Sequence, residues 1–191
     1  MPNYFEWLDL WLFHVLTPWH SPLADHLMSW ISVSGTASAL WLVLGAVAMT
    51  NPQTRAAAWR LLLVVLLCYV VVDLVAKPLI ARGRPVSLRA YDAPRDLPPM
   101  PRSLSFPSGH SAAAFGCAMA VARIWPQARV LWWTVAVVMA YSRIYVGHHY
   151  PLDVAGGAVA GVLIAFWVLG GRQPATYASP LRLPPGAVVR P

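Results

Sequence analysis

The chain has 191 residues, of which 58% are hydrophobic and only 11% charged, with a formal net charge of +7. A soluble domain carries about 25% charged residues, so this composition excludes an ordinary water-exposed surface. The positive charge does not indicate nucleic acid, because the basic residues fall in loops beside apolar runs. Cys68 and Cys117 both lie inside apolar runs, which suits small buried hydrophobes better than a disulfide or a metal site.

Residues 1–27 lack a basic leader and a small-residue cleavage site, so they do not read as a secretory signal. Trp7, Trp11 and Trp19, interrupted by polar residues, predict an amphipathic helix lying among lipid headgroups. A short first crossing is the alternative. Five apolar spans follow, at about 28–49, 58–81, 110–125, 129–147 and 151–170. The expected fold is therefore all-α, an integral membrane bundle of five to six transmembrane helices. Residues 1–171 form one membrane-embedded domain in this reading. The acid-free, Pro-rich stretch 172–191 reads as a disordered cytoplasmic tail.

The third span is short and Ala-rich, so hydropathy ranks it lowest. Its Ala112, Gly116 and Ala120 recur every four residues, and Gly157 and Gly161 form a GxxxG on the fifth span. Small residues at this spacing let helices approach closely. One connection is not a short hairpin. Residues 82–107 hold six prolines and five arginines, and a long ordered loop of this kind is usually functional.

Five spans put three polar stretches on one side of the membrane. The other side carries Arg55, Arg60, Arg123, Arg129, Arg172, Arg182 and Arg190. The motif side also holds seven basic residues, but Lys77, Arg84 and Arg143 are claimed by the site. Seven against four then directs the motif side out of the cytoplasm. Trp59, Trp125, Trp132, Trp133 and Trp167 form the matching cytoplasmic aromatic belt.

The three stretches carry the chemistry of phosphoryl transfer, which asks chiefly for positioning and charge neutralisation. His149 and Asp153 are four residues apart, with Pro151 suited to a first helical turn. Asp153 can reach back to one imidazole nitrogen and leave the other free to attack phosphorus. On its own, the pair also suits a capping carboxylate beside an interfacial histidine. His148 is the competing nucleophile. Ser108 is a good N-cap, and Gly109 admits an anion to free backbone N–H groups. His110 would then sit beside the phosphate, placed to protonate the departing oxygen and activate water. Lys77, Arg84 and Arg143 supply a cationic clamp, Arg gripping two oxygens and Lys acting as a point charge. Asp73, one turn before Lys77 inside a span, reads as its partner. Arg82, Arg89, Arg95 and Arg102 raise the local potential or meet lipid phosphates. The histidines show no HxxxH or HExxH spacing, and the clamp would repel Mg²⁺, so catalysis without metal or cofactor is expected.

Lys77 to Arg84-Pro85, Pro107-Ser108-Gly109-His110, and Ser142-Arg143 to His149 and Asp153 together resemble the signature of the type 2 phosphatidic acid phosphatase superfamily. No signature position departs, and the match covers about residues 70–160. The resemblance implies a helical bundle with its site at the outer membrane face and a phosphohistidine intermediate on His149. It also implies His110 as acid then base, Asp153 as orienting group, and Lys77, Arg84, Ser108, Gly109 and Arg143 as phosphate ligands. The implied substrate is a phospholipid or polyprenyl phosphate of the outer leaflet in a bacterial plasma membrane, foremost a polyprenyl diphosphate such as undecaprenyl diphosphate. Phosphatidylglycerophosphate, phosphatidic acid and phosphorylated lipid A remain open, as does transfer to another lipid hydroxyl. A lipid-binding or transport protein without catalysis is the reading from another class. The soluble haloperoxidase branch of the superfamily is disfavoured by the apolar spans.

Overall fold

A computed structural model of the chain describes residues 4–17, 20–34, 39–85 and 97–170. Seven helices make up the described fold: α1 Tyr4–Leu16, α2 Pro22–Ser34, α3 Ala39–Thr50, α4 Arg55–Ile80, α5 Gly109–Ile124, α6 Arg129–Tyr145 and α7 Pro151–Leu169. Within α4 the hydrogen-bonding widens to a π-helix over Tyr69–Ala76. A single 3₁₀ turn, Pro126–Ala128, joins α5 to α6.

Two helices, α4 and α7, are long and apolar enough to cross a bilayer. At 1.5 Å per residue α4 extends about 39 Å, against a hydrocarbon core of about 30 Å. By the same measure α5 and α6 reach about 24 and 26 Å. The run at 28–49 is not one span. It is divided between α2 and α3, with residues 35–38 outside the described set. Ser34, Gly35 and Thr36 interrupt the apolar sequence there. The tail 172–191 and loop residues 86–96 lie outside the described residues, so the expectations placed on them are not addressed by the fold.

α5 stands at the centre, packed by α4, α6 and α7. Its Ala112, Ala113, Ala114, Cys117, Ala118 and Val121 are all buried. That explains its weak hydropathy, since a helix surrounded by protein needs small side chains and not lipid-soluble ones. The outer helices show the inverse pattern. α4 exposes Leu63, Leu66, Leu74 and Val75, and α7 exposes Val159, Leu163 and Phe166. In a bilayer those faces meet acyl chains.

The expected small-residue seam joins α5 to α7. A Cβ built on Gly161 would fall 2.0 Å from the Ala112 carbonyl oxygen, and one on Gly157 would fall 2.3 Å from the Ser108 oxygen. Neither neighbour is a movable side chain, so both sites demand glycine. Cys68 and Cys117 are buried and unbridged, and the Cys68 thiol donates to the Ala112 oxygen at 3.5 Å. Trp59 opens α4, Trp125 follows α5, Trp132 and Trp133 open α6, and Trp167 closes α7. All five therefore lie at the end of the bundle opposite the motifs.

Candidate active site

The site is built where α5 and α7 begin and where α4 and α6 end. Ser108 caps α5, accepting from the Ser111 N–H at 3.4 Å and its hydroxyl at 3.1 Å. The Ser108 N–H in turn donates to the Asp153 backbone oxygen at 2.9 Å. Two motifs 45 residues apart in sequence are thus joined by one backbone bond. At the end of α6, Gly147 takes φ +68°, in the left-handed region. That turn folds the following backbone over the helix end, and the His148 and His149 N–H groups donate to the Arg143 oxygen at 3.0 and 3.1 Å. The third motif is therefore self-organising, since Arg143 and His149 share one turn.

The two adjacent histidines face different ways. His148 Nε2 lies 3.2 Å from the Pro98 oxygen, so its ring points into the loop. His149 is buried, and its Nδ1 lies 3.6 Å from Asp153 Oδ2 and 3.5 Å from Ser105 Oγ. At 3.6 Å the imidazole–carboxylate contact is an ion-pair distance and is longer than a hydrogen bond. The Ser105 hydroxyl occupies the nearer position, donating a short hydrogen bond to the same Asp153 Oδ2. Oδ2 also accepts from the Tyr150 N–H at 2.9 Å, closing the first turn of α7. The opposite ring nitrogen, His149 Nε2, accepts from Arg84 Nη1 at 3.2 Å. This arrangement places the proton on Nδ1 and the lone pair on Nε2, toward the clamp. Burial pushes the His149 pKa down to about 4, against the opposing pull of Asp153, with Arg84 and Arg143 adding to the depression. The ring is neutral at physiological pH, as a nucleophile must be.

Arg84 is fixed before any substrate arrives. Its Nε donates to the Ser103 oxygen at 2.6 Å, Nη1 to the His148 oxygen at 2.5 Å, and Nη2 to the Ser103 hydroxyl at 2.9 Å. Burial lowers its pKa from the usual guanidinium value, while Asp153 and Asp73 oppose the shift. Arg143 Nη1 donates to the Ser32 oxygen at 2.9 Å and to its hydroxyl. Arg143 Nε is buried with no partner among the described residues, as is His110 Nε2. Buried polar atoms are nearly always satisfied, so two open donor or acceptor sites beside a cationic cluster fit an anion. His110 lies within electrostatic range of Arg143, His149, Lys77 and His148, and His149 lies within range of Arg84 and Arg143. The two imidazoles and three cations therefore share one neighbourhood.

Lys77 donates to Asp73, as the one-turn spacing predicts. Gly109 has a steric role that the sequence does not announce. A Cβ there would come within 2.5 Å of Asp73 Oδ2, so the carboxylate approaching the start of α5 in this structure is Asp73 itself.

Sequence reasoning missed Ser32, Ser103 and Ser105, and it left Arg82 among peripheral charges. Arg82 Nη1 donates to Asp153 Oδ1 at 2.6 Å, and Nη2 donates to Asp9 Oδ2 at 2.5 Å. Burial works against the Arg82 charge, but the two carboxylates outweigh it and raise its pKa. Asp9 was also missed. It is fully buried, and its Oδ1 accepts from the Leu152 N–H at 2.8 Å. The only signal was a second acid in an otherwise apolar α1.

The fold is a helical bundle with apolar outer faces, and one end of it gathers two imidazoles and three cations. The chain belongs to the PAP2 superfamily, whose family model matches residues 57–177. A solved transmembrane PAP2-type phosphatidylglycerolphosphate phosphatase from Bacillus subtilis superposes with a TM-score of 0.72 at 26% identity, covering 89% of this chain and 87% of that one. The undecaprenyl-diphosphatase of Sulfolobus acidocaldarius is 30% identical over 128 residues, 66% of this chain and 61% of that protein. The bacitracin transport permease protein BcrC of Bacillus licheniformis is 42% identical over 64 residues, 34% of this chain and 32% of the relative's own length.

Proposed function

We propose that the chain is an integral membrane phosphatase that hydrolyses a lipid phosphate through a phosphohistidine on His149, without a metal ion. The observation that carries this reading is the His149 ring itself. It is buried and neutral, its Nδ1 faces the Ser105–Asp153 pair, and its Nε2 faces the clamp. A purely lipid-binding protein needs cations but has no use for an oriented imidazole lone pair.

In this mechanism Lys77, Arg84 and Arg143 neutralise the phosphoryl oxygens, with Ser108 and Gly109 presenting the start of α5. His149 Nε2 attacks phosphorus, and the P–O bond to the leaving group breaks. His110, protonated once the phosphoryl anion beside it offsets the surrounding cations, gives its proton to the departing oxygen. The same ring then takes a proton from water, the hydroxide attacks phosphorus, and the P–N bond breaks to release phosphate. Asp153 stabilises the His149 cation formed in between. His148 is turned to Pro98 and takes no part.

The preferred substrate is a polyprenyl diphosphate such as undecaprenyl diphosphate, reached from the outer leaflet. The named activity of the Sulfolobus relative supports this choice, whereas the Bacillus structural match is named for phosphatidylglycerolphosphate. Phosphatidic acid and lipid A phosphates complete the panel. The motif end would face out of the cytoplasm, with further crossings besides α4 and α7. Phosphate release from these four substrates in detergent with EDTA tests the reading. Undecaprenyl diphosphate should give the highest kcat/KM and EDTA should change it less than twofold. Activity abolished by EDTA, or absent on every lipid, would overturn the reading.

A further inference from the structure

α1 does more than rest at a membrane surface. Its aromatic residues Tyr4, Phe5, Trp7 and Trp11 are exposed, while Asp9 is 0% exposed. A buried carboxylate on an interfacial helix is costly unless it is paired. Asp9 is paired twice, to Arg82 and to the Leu152 N–H in the first turn of α7. Arg82 bridges Asp9 and Asp153 with its two terminal nitrogens, and its guanidinium also sits 4.4 Å from the centre of the Tyr150 ring. Asp153 Oδ1 is therefore engaged by Arg82, leaving Oδ2 for Ser105 and the His149 side. The contacts form one chain from α1 to the imidazole: Asp9, Arg82, Asp153, His149.

We propose that Asp9 and Arg82 are positioning residues that hold Asp153 in the rotamer its work on His149 requires, so that the docking of α1 completes the site. This rests on the hydrolytic reading above, in which Asp153 orients the nucleophile. Both terminal nitrogens of Arg82 and both carboxylate oxygens of Asp9 are taken by protein partners, so neither is assigned to holding the phosphoryl group. A fork-shaped guanidinium is needed because one group must meet two carboxylates at fixed angles, which a lysine point charge does not do.

The test is a double-mutant cycle on the full chain in detergent, using lipid phosphate hydrolysis and product inhibition by inorganic phosphate as readouts. Asp9→Asn should lower kcat about 10-fold, and Arg82→Gln about 30-fold, with KM and the phosphate inhibition constant within about twofold of wild type. In the Arg82→Gln background, Asp9→Asn should change kcat less than twofold, because residues acting through one link are not additive. Arg82→Lys should recover only a small part of the loss. A merely structural role predicts equal losses in both backgrounds, and that result would overturn the proposal. So would full activity in Asp9→Asn, or a KM that rises with the loss of kcat. If Asp9→Asn does not fold, Asp9→Glu serves, because it keeps the charge and displaces the carboxylate by one methylene; it should lose about fivefold in kcat, and wild-type kcat there would overturn the proposal. Asp153→Asn separates the two claims. Wild-type turnover in that variant overturns the hydrolytic reading itself, whereas an inactive Asp153→Asn beside a fully active Asp9→Asn overturns only the role given to α1.

Discussion

The α5–α7 seam and the α2–α3 flank are built on opposite principles. In the seam, carbonyl oxygens of one helix lie where side chains of the other would be, at Gly157 and Gly161. On the flank, α2, α3 and α6 enclose an open apolar cavity of about 510 Å³, lined by Trp30, Ile31, Leu40, Val43 and Met139 among others. A Cβ on the one glycine of α3, Gly45, would meet side chains and no backbone, the nearest being Leu62 at 2.9 Å. The seam carries His110 and Asp153 at its upper end, and Ser108 bonds the two helices together there. Close packing falls where the site's helices meet, and the open cavity falls on the flank away from it. Among the described residues, Ser32 ties the flank to the site by accepting from Arg143.

The largest effect is expected at the proposed nucleophile. His149→Ala should reduce kcat at least about 1,000-fold while leaving the protein folded, since the proposed mechanism forms its covalent bond there. Phosphate release and thermal unfolding measured on the same preparation check this.

Next is His110→Ala. A lipid alkoxide leaves only with a proton, whereas a diphosphate expels a phosphate that needs less help. The loss should be about 100-fold or more on a lipid monophosphate and nearer 10-fold on a diphosphate. Equal losses in a side-by-side assay would detach His110 from the leaving group.

Gly161→Ala against Gly45→Ala sharpens the contrast directly. The first pushes a methyl into a backbone carbonyl and should cost about 1–3 kcal/mol of stability and about 10-fold in kcat. The second displaces the end of a flexible leucine and replaces a helical glycine, so stability should stay within about 1 kcal/mol of wild type. Unfolding midpoints and turnover in one detergent distinguish the two. Similar losses would mean the seam has no special rigidity.

The smallest effect is that of mild acid. His149 is held neutral down to about pH 4, so its protonation alone should change kcat/KM by less than twofold between pH 7 and pH 5. The sign for stability is the opposite of a paired histidine's. The unfolded ring binds its proton near pH 6.5 and the folded ring only near 4, so this residue's contribution erodes as pH falls through that window and is level below it. A pH profile with its acid limb near 6.5 would place the titrating ring in solvent.

What could be read from the chain alone was what is local. His149, Pro151 and Asp153 fall within one helical turn, as do Ser108, Gly109 and His110, and Asp73 sits one turn from Lys77. Each follows from spacing at a helix end. The 28–49 run was read as one span because average hydropathy does not separate α2, which ends at Ser34, from α3, which begins at Ala39. The remaining residues were hidden by distance. Arg82 meets partners 71 and 73 residues away, and Asp9 meets an amide 143 residues away. Asp9 looked like a polar break in an interfacial helix, because no local pattern marks an acid whose partners come from two other segments. Ser105 and Ser32 are plain serines until the imidazole and guanidinium they serve are in place.

The most direct test is to trap the covalent intermediate. Lipid substrate labelled in its transferred phosphorus, mixed with the enzyme and quenched within milliseconds, should leave acid-labile, alkali-stable label on the peptide that contains His149 and none on the His149→Ala protein. Label that persists in His149→Ala, or turnover with no labelled protein at any quench time, would contradict the account.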